Sequence, residues 1–346
     1  MPNGTRAGKE PASGRVDHSM HILNIKLGLV AGLTAASFAA TTQAHAAQPV
    51  DVAVDNGTLN IDGHNGPNTI TLRLAPGAPQ TLQVDAGSAV VSVARDSFTR
   101  IAIKGGNGDD VVRFDGINGA INTPATIDGG RGDDTLLGGN GADTLNGGRG
   151  DDVVDGNGGA DTGNLGSGDD EFIWDPGDAS DVVEGGSGHD KLTFNGAAGA
   201  EQFDVSANGE RARVFRTQGA ITMDLDDVDQ VDVNVLGCAD LVTVNDLSGT
   251  DLTTVNAKLA PSIGGSGADG ATDHVVVNGT AGDDAIAASG SNGSATVTGL
   301  AATVNVRDAA AAAPELDLLT VNGLAGNDTI DNSGLAADAI GFQGQP

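Results

Sequence analysis

Gly129-Gly130-Arg131-Gly132-Asp133-Asp134-Thr135-Leu136-Leu137 is followed at once by Gly138-Gly139-Asn140-Gly141-Ala142-Asp143-Thr144-Leu145-Asn146, a copy of itself nine residues on. Further copies start at Gly147 (Asp152, Val154), Gly156 (Asp161, Gly163) and Leu165 (Asp170, Phe172). After the insertion Trp174-Asp175, a weaker copy runs from Pro176 to Glu184 with Asp181 and Val183. The seventh, Gly185 to Thr193, is strong again, with Asp190 and Leu192. The template is G-G-x-G-x-D-x-U-x, with U apolar, and a fixed period of this kind marks a repeat architecture. The first six residues turn the chain, because glycine tolerates positive φ and lets backbones approach closely. The last three form a minimal strand with one inward apolar side chain. One such unit buries nothing alone, so the units must stack.

Stacking brings the aspartates into rows, where like charges repel. A hard divalent cation between turns relieves that repulsion. Carboxylates and loop carbonyls together make the all-oxygen shell that calcium prefers, whereas magnesium holds its waters and demands a tighter octahedron.

These copies resemble the haemolysin-type calcium-binding (RTX) repeat family. The resemblance implies a parallel β-roll in which two nonapeptides make one turn, with Ca2+ held between loops one turn apart. It pairs the repeat at 129 with 147, 138 with 156 and 147 with 165, and less regularly 156 with 176 and 165 with 185. Carried over residue by residue, the implied calcium ligands are Asp134, Asp143, Asp152, Asp161, Asp170, Asp181 and Asp190. The loop glycines implied with them are Gly130, Gly132, Gly139, Gly141, Gly148, Gly150, Gly159, Gly166, Gly168, Gly186 and Gly188. Two departures bear on this. Gly163 stands where the apolar residue belongs and predicts a gap in the core. Pro176 and Ser180 predict a distorted sixth loop, which puts a site at Asp181 in doubt.

The flanks fit an all-β chain: a parallel β-roll or β-helix solenoid with the calcium-type roll at its centre. From Val50 to Arg113, the runs Val52–Val54, Thr58–Ile61, Thr69–Leu72 and Val90–Val93 alternate, punctuated by Asn56-Gly57, Asn65-Gly66 and Pro76-Gly77. An eighth, isolated copy, Gly105 to Val112, carries Asp110 at its sixth position, and the distance to Asp134 predicts that Asp110 has no stacked partner. Past Thr193 the pattern lengthens, with worn turns around Asp240, Asp284 and Asp328 read by default as structural. The organisation read from this is 1–46 targeting, 47–128 an N-terminal β-helix-like unit, 129–193 the roll, and 194–346 C-terminal solenoid-like repeats. Helix signal is almost absent; Asp308–Ala313, stopped by Pro314, reads as one helical turn or a bulge.

Lys26, the apolar run Leu27–Ala40 and Ala44-His45-Ala46 read as a Sec-type signal peptide, and Met20 is a natural start for it, which makes residues 1–19 an upstream extension. The run is too short and alanine-rich for a transmembrane anchor, and no obvious address ends the chain. The expected location is therefore the periplasm or outside the cell. The net charge of −30 argues against nucleic acid as a partner; a cell-surface or matrix partner is left open.

The chemistry points away from catalysis. Cys238, the only cysteine, can form no internal disulfide and reads as a buried small apolar residue. His64, His189 and His274 follow no catalytic or zinc spacing, and His189 reads as a solvated loop residue. Carboxylate pairs such as Asp133-Asp134 and Asp151-Asp152 sit in equivalent settings, unlike a glycosidase pair. Two readings of function stand. The favoured one is an exported, non-enzymatic calcium-binding protein with a structural, surface or matrix role. The other is a calcium-dependent polysaccharide-active β-helix enzyme, which rests on fold analogy alone.

Overall fold

The computed structural model describes residues 50–346 apart from Ser88, Ala268, Ala313 and Pro314. The signal-peptide reading of residues 1–46 lies outside the described residues. Everything described belongs to one compact unit.

Alternation every second residue makes each rung's strand bury one face, and the chain meets this by building two sheets of fourteen strands each. In the repeat region successive strands fall in the two sheets by turns. Ala125–Arg131, Thr144–Arg149, Thr162–Ser167 and Val182–Ser187 pair in parallel in the first sheet. Thr135–Leu137, Val153–Asp155, Glu171–Trp174 and Lys191–Asn195 pair in parallel in the second. The register is the one the resemblance implies: Gly130 opposes Gly148, which opposes Gly166, which opposes Gly186. The inward row predicted from the repeat, Leu136, Leu145, Val154, Phe172, Val183 and Leu192, is fully buried. Parallel sheets normally bury both faces; here single apolar residues from facing strands meet in one continuous core.

Gly163 leaves no gap, contrary to the expectation. A Cβ there would lie 2.7 Å from the Phe172 ring, so the larger side chain of the next repeat occupies the space the glycine leaves. Beyond the roll, an antiparallel set, Gln202–Asn208, Arg211–Arg216 and Ile221–Asp226, is inserted into the first sheet. An aromatic cluster lies where it joins. Trp174 stacks on Phe194 with centroids 4.1 Å apart, and Phe203 meets Phe194 edge-on. The Arg216 guanidinium lies 5.4 Å over the Trp174 ring and pairs with buried Glu201. The parallel pattern then resumes through Leu241–Val244, His274–Asn278 and Leu318–Asn322. Both sheets run without a break through residues 129 and 193. Ala311–Ala312 pairs with Glu315–Leu316 as a short antiparallel ladder, so this stretch is extended rather than a helical turn.

Candidate metal centre

The repeat loops lie along two edges. Loops 105–110, 129–134, 147–152, 165–170 and 185–190 lead from the first sheet to the second and form what is here termed the glycine edge. Loops 138–143, 156–161 and 176–181 form the opposite edge.

On the glycine edge the second and fourth residues of each loop carry positive φ, from +100° at Gly186 to +139° at Gly168 and Gly188. Only glycine adopts this readily. The same residues stack on the rung before. A Cβ on Gly132 would lie 2.5 Å from Gly108 O, and one on Gly148 would collide with Gly130 O. Two columns of main-chain carbonyls therefore line the edge. The glycine that opens four of these five loops (Leu165 opens the other) answers a different need. A Cβ on Gly105 or Gly147 would lie 2.5 Å from the Oδ2 of its own repeat's aspartate, Asp110 or Asp152.

Those aspartates are the centre of the arrangement. Asp110, Asp134, Asp152, Asp170 and Asp190 are each no more than 2% exposed. One oxygen of each caps the rung before: Asp134 Oδ1 accepts from the Asp110 N–H at 2.7 Å, Asp152 from Asp134 at 2.7 Å, Asp170 from Asp152 at 2.7 Å and Asp190 from Asp170 at 3.0 Å. The other oxygen, Oδ2, is buried and has no hydrogen-bond partner in any of the five. An unpaired buried polar atom is costly, and an unpaired buried charge more so. Burial pushes the Asp134 and Asp152 carboxyls up to about 7, the Asp190 carboxyl to about 6, and those of Asp110 and Asp170 up as well; the capping N–H groups pull the other way and neighbouring carboxylates add to the rise.

Asp110 is thus a full member of the column, which corrects the expectation that it lacks a stacked partner. The longer residue count between Asp110 and Asp134 is taken up on the far side of the rung, and Gly106 still opposes Gly130. The column starts one rung earlier still. Asn68 donates its N–H to Asp110 Oδ1 at 2.7 Å, and His64 O accepts from Asn107 N at 3.0 Å. Gly63-x-x-Gly66-x-Asn68-x-Ile70 is this worn copy, with an amide at the aspartate position.

The opposite edge has the same ladder but a different filling. Asp161 Oδ1 caps Asp143 at 2.7 Å and Asp181 Oδ1 caps Asp161 at 2.8 Å, so Pro176 and Ser180 leave Asp181 in register. Gly139 and Gly141, however, do not take positive φ; Gly159 does. Asp143 Oδ2 accepts from Gly139 N at 2.8 Å, so both its oxygens are satisfied, and of this edge's three repeat aspartates Asp161 is the one whose Oδ2 is fully buried without a partner. Burial raises Asp143 to about 6, Asp161 to about 8 and Asp181 to about 7. A cleft of about 270 Å³ between Phe114, Ile121, Asn140 and Asp178 lies on this side, but Asp178 already accepts from the Asp175 N–H at 2.6 Å.

Outside the columns, Cys238 is exposed, at φ 72°, with its thiol toward Ala198 O at 3.5 Å, which corrects its reading as a buried apolar residue. His189 is exposed in its loop, and its N–H donates to Asp169 Oδ1 at 2.9 Å. No helix among the described residues is long and apolar enough to cross a membrane.

Among the described residues no group of three His, Cys, Asp or Glu side chains gathers closely enough to hold an ion unaided. The glycine edge fits an ion through its mixed donors: unpaired carboxylate oxygens and columns of main-chain carbonyls, all hard oxygen, as calcium prefers. No curated protein matches the chain. Among protein families, the chain matches the RTX calcium-binding nonapeptide repeat, in 4 copies, over residues 126–154, 137–172 and 177–200. Such repeats bind Ca2+, and it is residues 126–172 and 177–200 of this chain that match them.

Proposed function

We propose that the protein is an exported calcium-binding protein whose glycine edge holds a column of Ca2+ ions, and that the ions make a structural or surface-matrix element of an acidic, repulsive chain. The observation that carries this is the column itself: five buried aspartates, each with one oxygen capping a rung and one without a partner. The ligands on this edge are Asp110, Asp134, Asp152, Asp170 and Asp190, with the carbonyls of the loop glycines. Each ion bridges successive rungs and replaces the proton that burial otherwise demands. The opposite edge contributes Asp161 with Asp181, while Asp143 is already satisfied by main chain. Export rests on the signal-peptide pattern of residues 20–46. Binding that occurs only in the folded form stabilises it by mass action.

The test is a calcium titration of the mature chain in chelator-treated buffer near pH 8, followed by circular dichroism and by counting bound ions. The expected result is a calcium-driven gain of β-signal that magnesium does not reproduce. Full β-signal in chelator with no bound calcium would sink the proposal. N-terminal sequencing of the exported protein should show cleavage after Ala46.

A further inference from the structure

The signature that marks the calcium repeats recurs where the nonapeptide has vanished from the sequence. Beyond residue 200, Asp240 Oδ1 caps the Glu201 N–H at 2.7 Å, Asp273 Oδ1 caps Asp240 at 2.9 Å and Asp317 Oδ1 caps Asp273 at 2.8 Å. Asp240 is 3% exposed and Asp273 1%. Their Oδ2 atoms are buried without partners, as on the glycine edge, and so is the Oδ2 of Asp269 four residues before Asp273. Asp269 reaches back to the rung of Asp240: a Cβ on Gly237 would lie 3.9 Å from Asp269 Oδ2. Its other oxygen is engaged, accepting from the Ala271 N–H at 2.8 Å, which fixes the carboxylate in place.

We propose that Asp240, Asp269 and Asp273 form a separate calcium site between these two rungs, outside the nonapeptide repeats. Three buried carboxylate oxygens without hydrogen-bond partners on adjoining rungs are donors for a cation. The donors within reach are oxygen. The one sulfur nearby, Cys238 Sγ, is turned to Ala198 O on the preceding rung, which speaks against a soft metal. Calcium's six to eight ligands leave room for main-chain carbonyls and water beside the carboxylates. The three carboxylates do not close on a point by themselves, but neither do those of the repeats that bind calcium. Mutual repulsion is felt here as well: Asp269 and the neighbouring acidic groups add to the rise of Asp240 and Asp273 to about 7, for which burial is the main cause.

The site differs from the glycine edge in its donors. With Val235 and Leu236 in place of the leading glycines, there is no double column of glycine carbonyls, and a third carboxylate stands in for them. The experiment counts calcium ions per chain by equilibrium dialysis against calcium alone, using the full mature chain. Asp269→Asn keeps the acceptor for Ala271 and removes the charge, so it should lose one ion and keep the calcium-driven β-signal of the roll. Asp273→Asn should lose the same ion, and the Asp269→Asn/Asp273→Asn double variant should lose no further one. Asp152→Asn should lose ions from the glycine edge and still bind at this site, so failure of either set of sites is separately visible. An unchanged ion count in Asp269→Asn would overturn the proposal even if Asp273→Asn fails to fold.

Discussion

Acid should fold the calcium-free protein. The perturbation is a fall in pH in the presence of a chelator. Asp152 stands at about 7 in the folded chain against 3.8 for an ordinary aspartate, a difference worth on the order of 4 kcal/mol. Asp134 stands at about 7 and Asp190 at about 6 on the same edge. These groups feel one another and do not titrate independently, yet two such terms already rival a whole domain's stability of about 5–15 kcal/mol. A raised folded value means that the folded chain holds protons the unfolded chain has lost. Between about pH 4 and pH 7 stability therefore falls as pH rises. The contribution is fully present below the unfolded value and gone above the folded one. In chelator, circular dichroism should show the β-signal growing as pH drops from about 8 to about 5, and saturating calcium should hold the signal at pH 8. Asp152→Asn separates the two roles. It removes one ionisable group but keeps an oxygen to accept from the Asp134 N–H, so the calcium-free chain should fold at higher pH while calcium affinity falls. If Asp152→Asn unfolds the calcium-free chain further at pH 8, or acid leaves it unfolded, the buried carboxylates are not what opposes folding.

Three further outcomes follow from the same geometry. Gly148→Ala places a Cβ on Gly130 O at φ +118°, a strained backbone costing about 1–3 kcal/mol, whereas Gly199→Ala meets nothing within 4 Å; thermal melts in calcium should show a loss only for the first. Asp110→Ala should reduce calcium-induced β-signal about as Asp152→Ala does, since both sit in one column with unpaired Oδ2 atoms; an unaffected Asp110→Ala would place the end of the calcium column at Asp134. Phe172→Ala should cost about 3–5 kcal/mol, and Gly163→Leu should restore part of it, because the two positions share one space; a denaturant melt of the double variant with no rescue would show that Phe172 fills some other space.

The roll was legible because its period is strict. One period of nine places Leu136, Leu145, Val154, Phe172, Val183 and Leu192 inward and also fixes the register, since a parallel rung of two repeats must set Gly130 against Gly148. The size exchange between Gly163 and Phe172 was not legible, because it depends on which side chains meet across the core rather than on their order. Nor was Asp110. Residue count along the chain measures a rung's whole circuit, whereas the ladder needs only that two loops coincide at one edge; residues added at the other edge change the count and leave the coincidence intact.

The same physics explains what the sequence hides beyond residue 200. Once the leading glycines go, the repeat can no longer be found by its period: the capping links Glu201–Asp240, Asp240–Asp273 and Asp273–Asp317 span 39, 33 and 44 residues. What persists is the part of the repeat that a rung needs in order to stack. Asp240-Leu-Val-Thr-Val-Asn245, Asp273-His-Val-Val-Val-Asn278 and Asp317-Leu-Leu-Thr-Val-Asn322 each begin with a carboxylate that caps the rung before. Each ends with an asparagine, and Asn278 donates to Asn245 at 2.9 Å and Asn322 to Asn278 at 2.8 Å. The carboxylate thus serves two separable purposes. Oδ1 satisfies a main-chain N–H of the rung before in each of these three rungs, with or without metal. Oδ2 is satisfied by main chain in some rungs, as at Asp143 and Asp317, and left over in others. It is the leftover oxygen, not the capping one, that distinguishes a rung with a reason to take up a cation from a rung that only stacks.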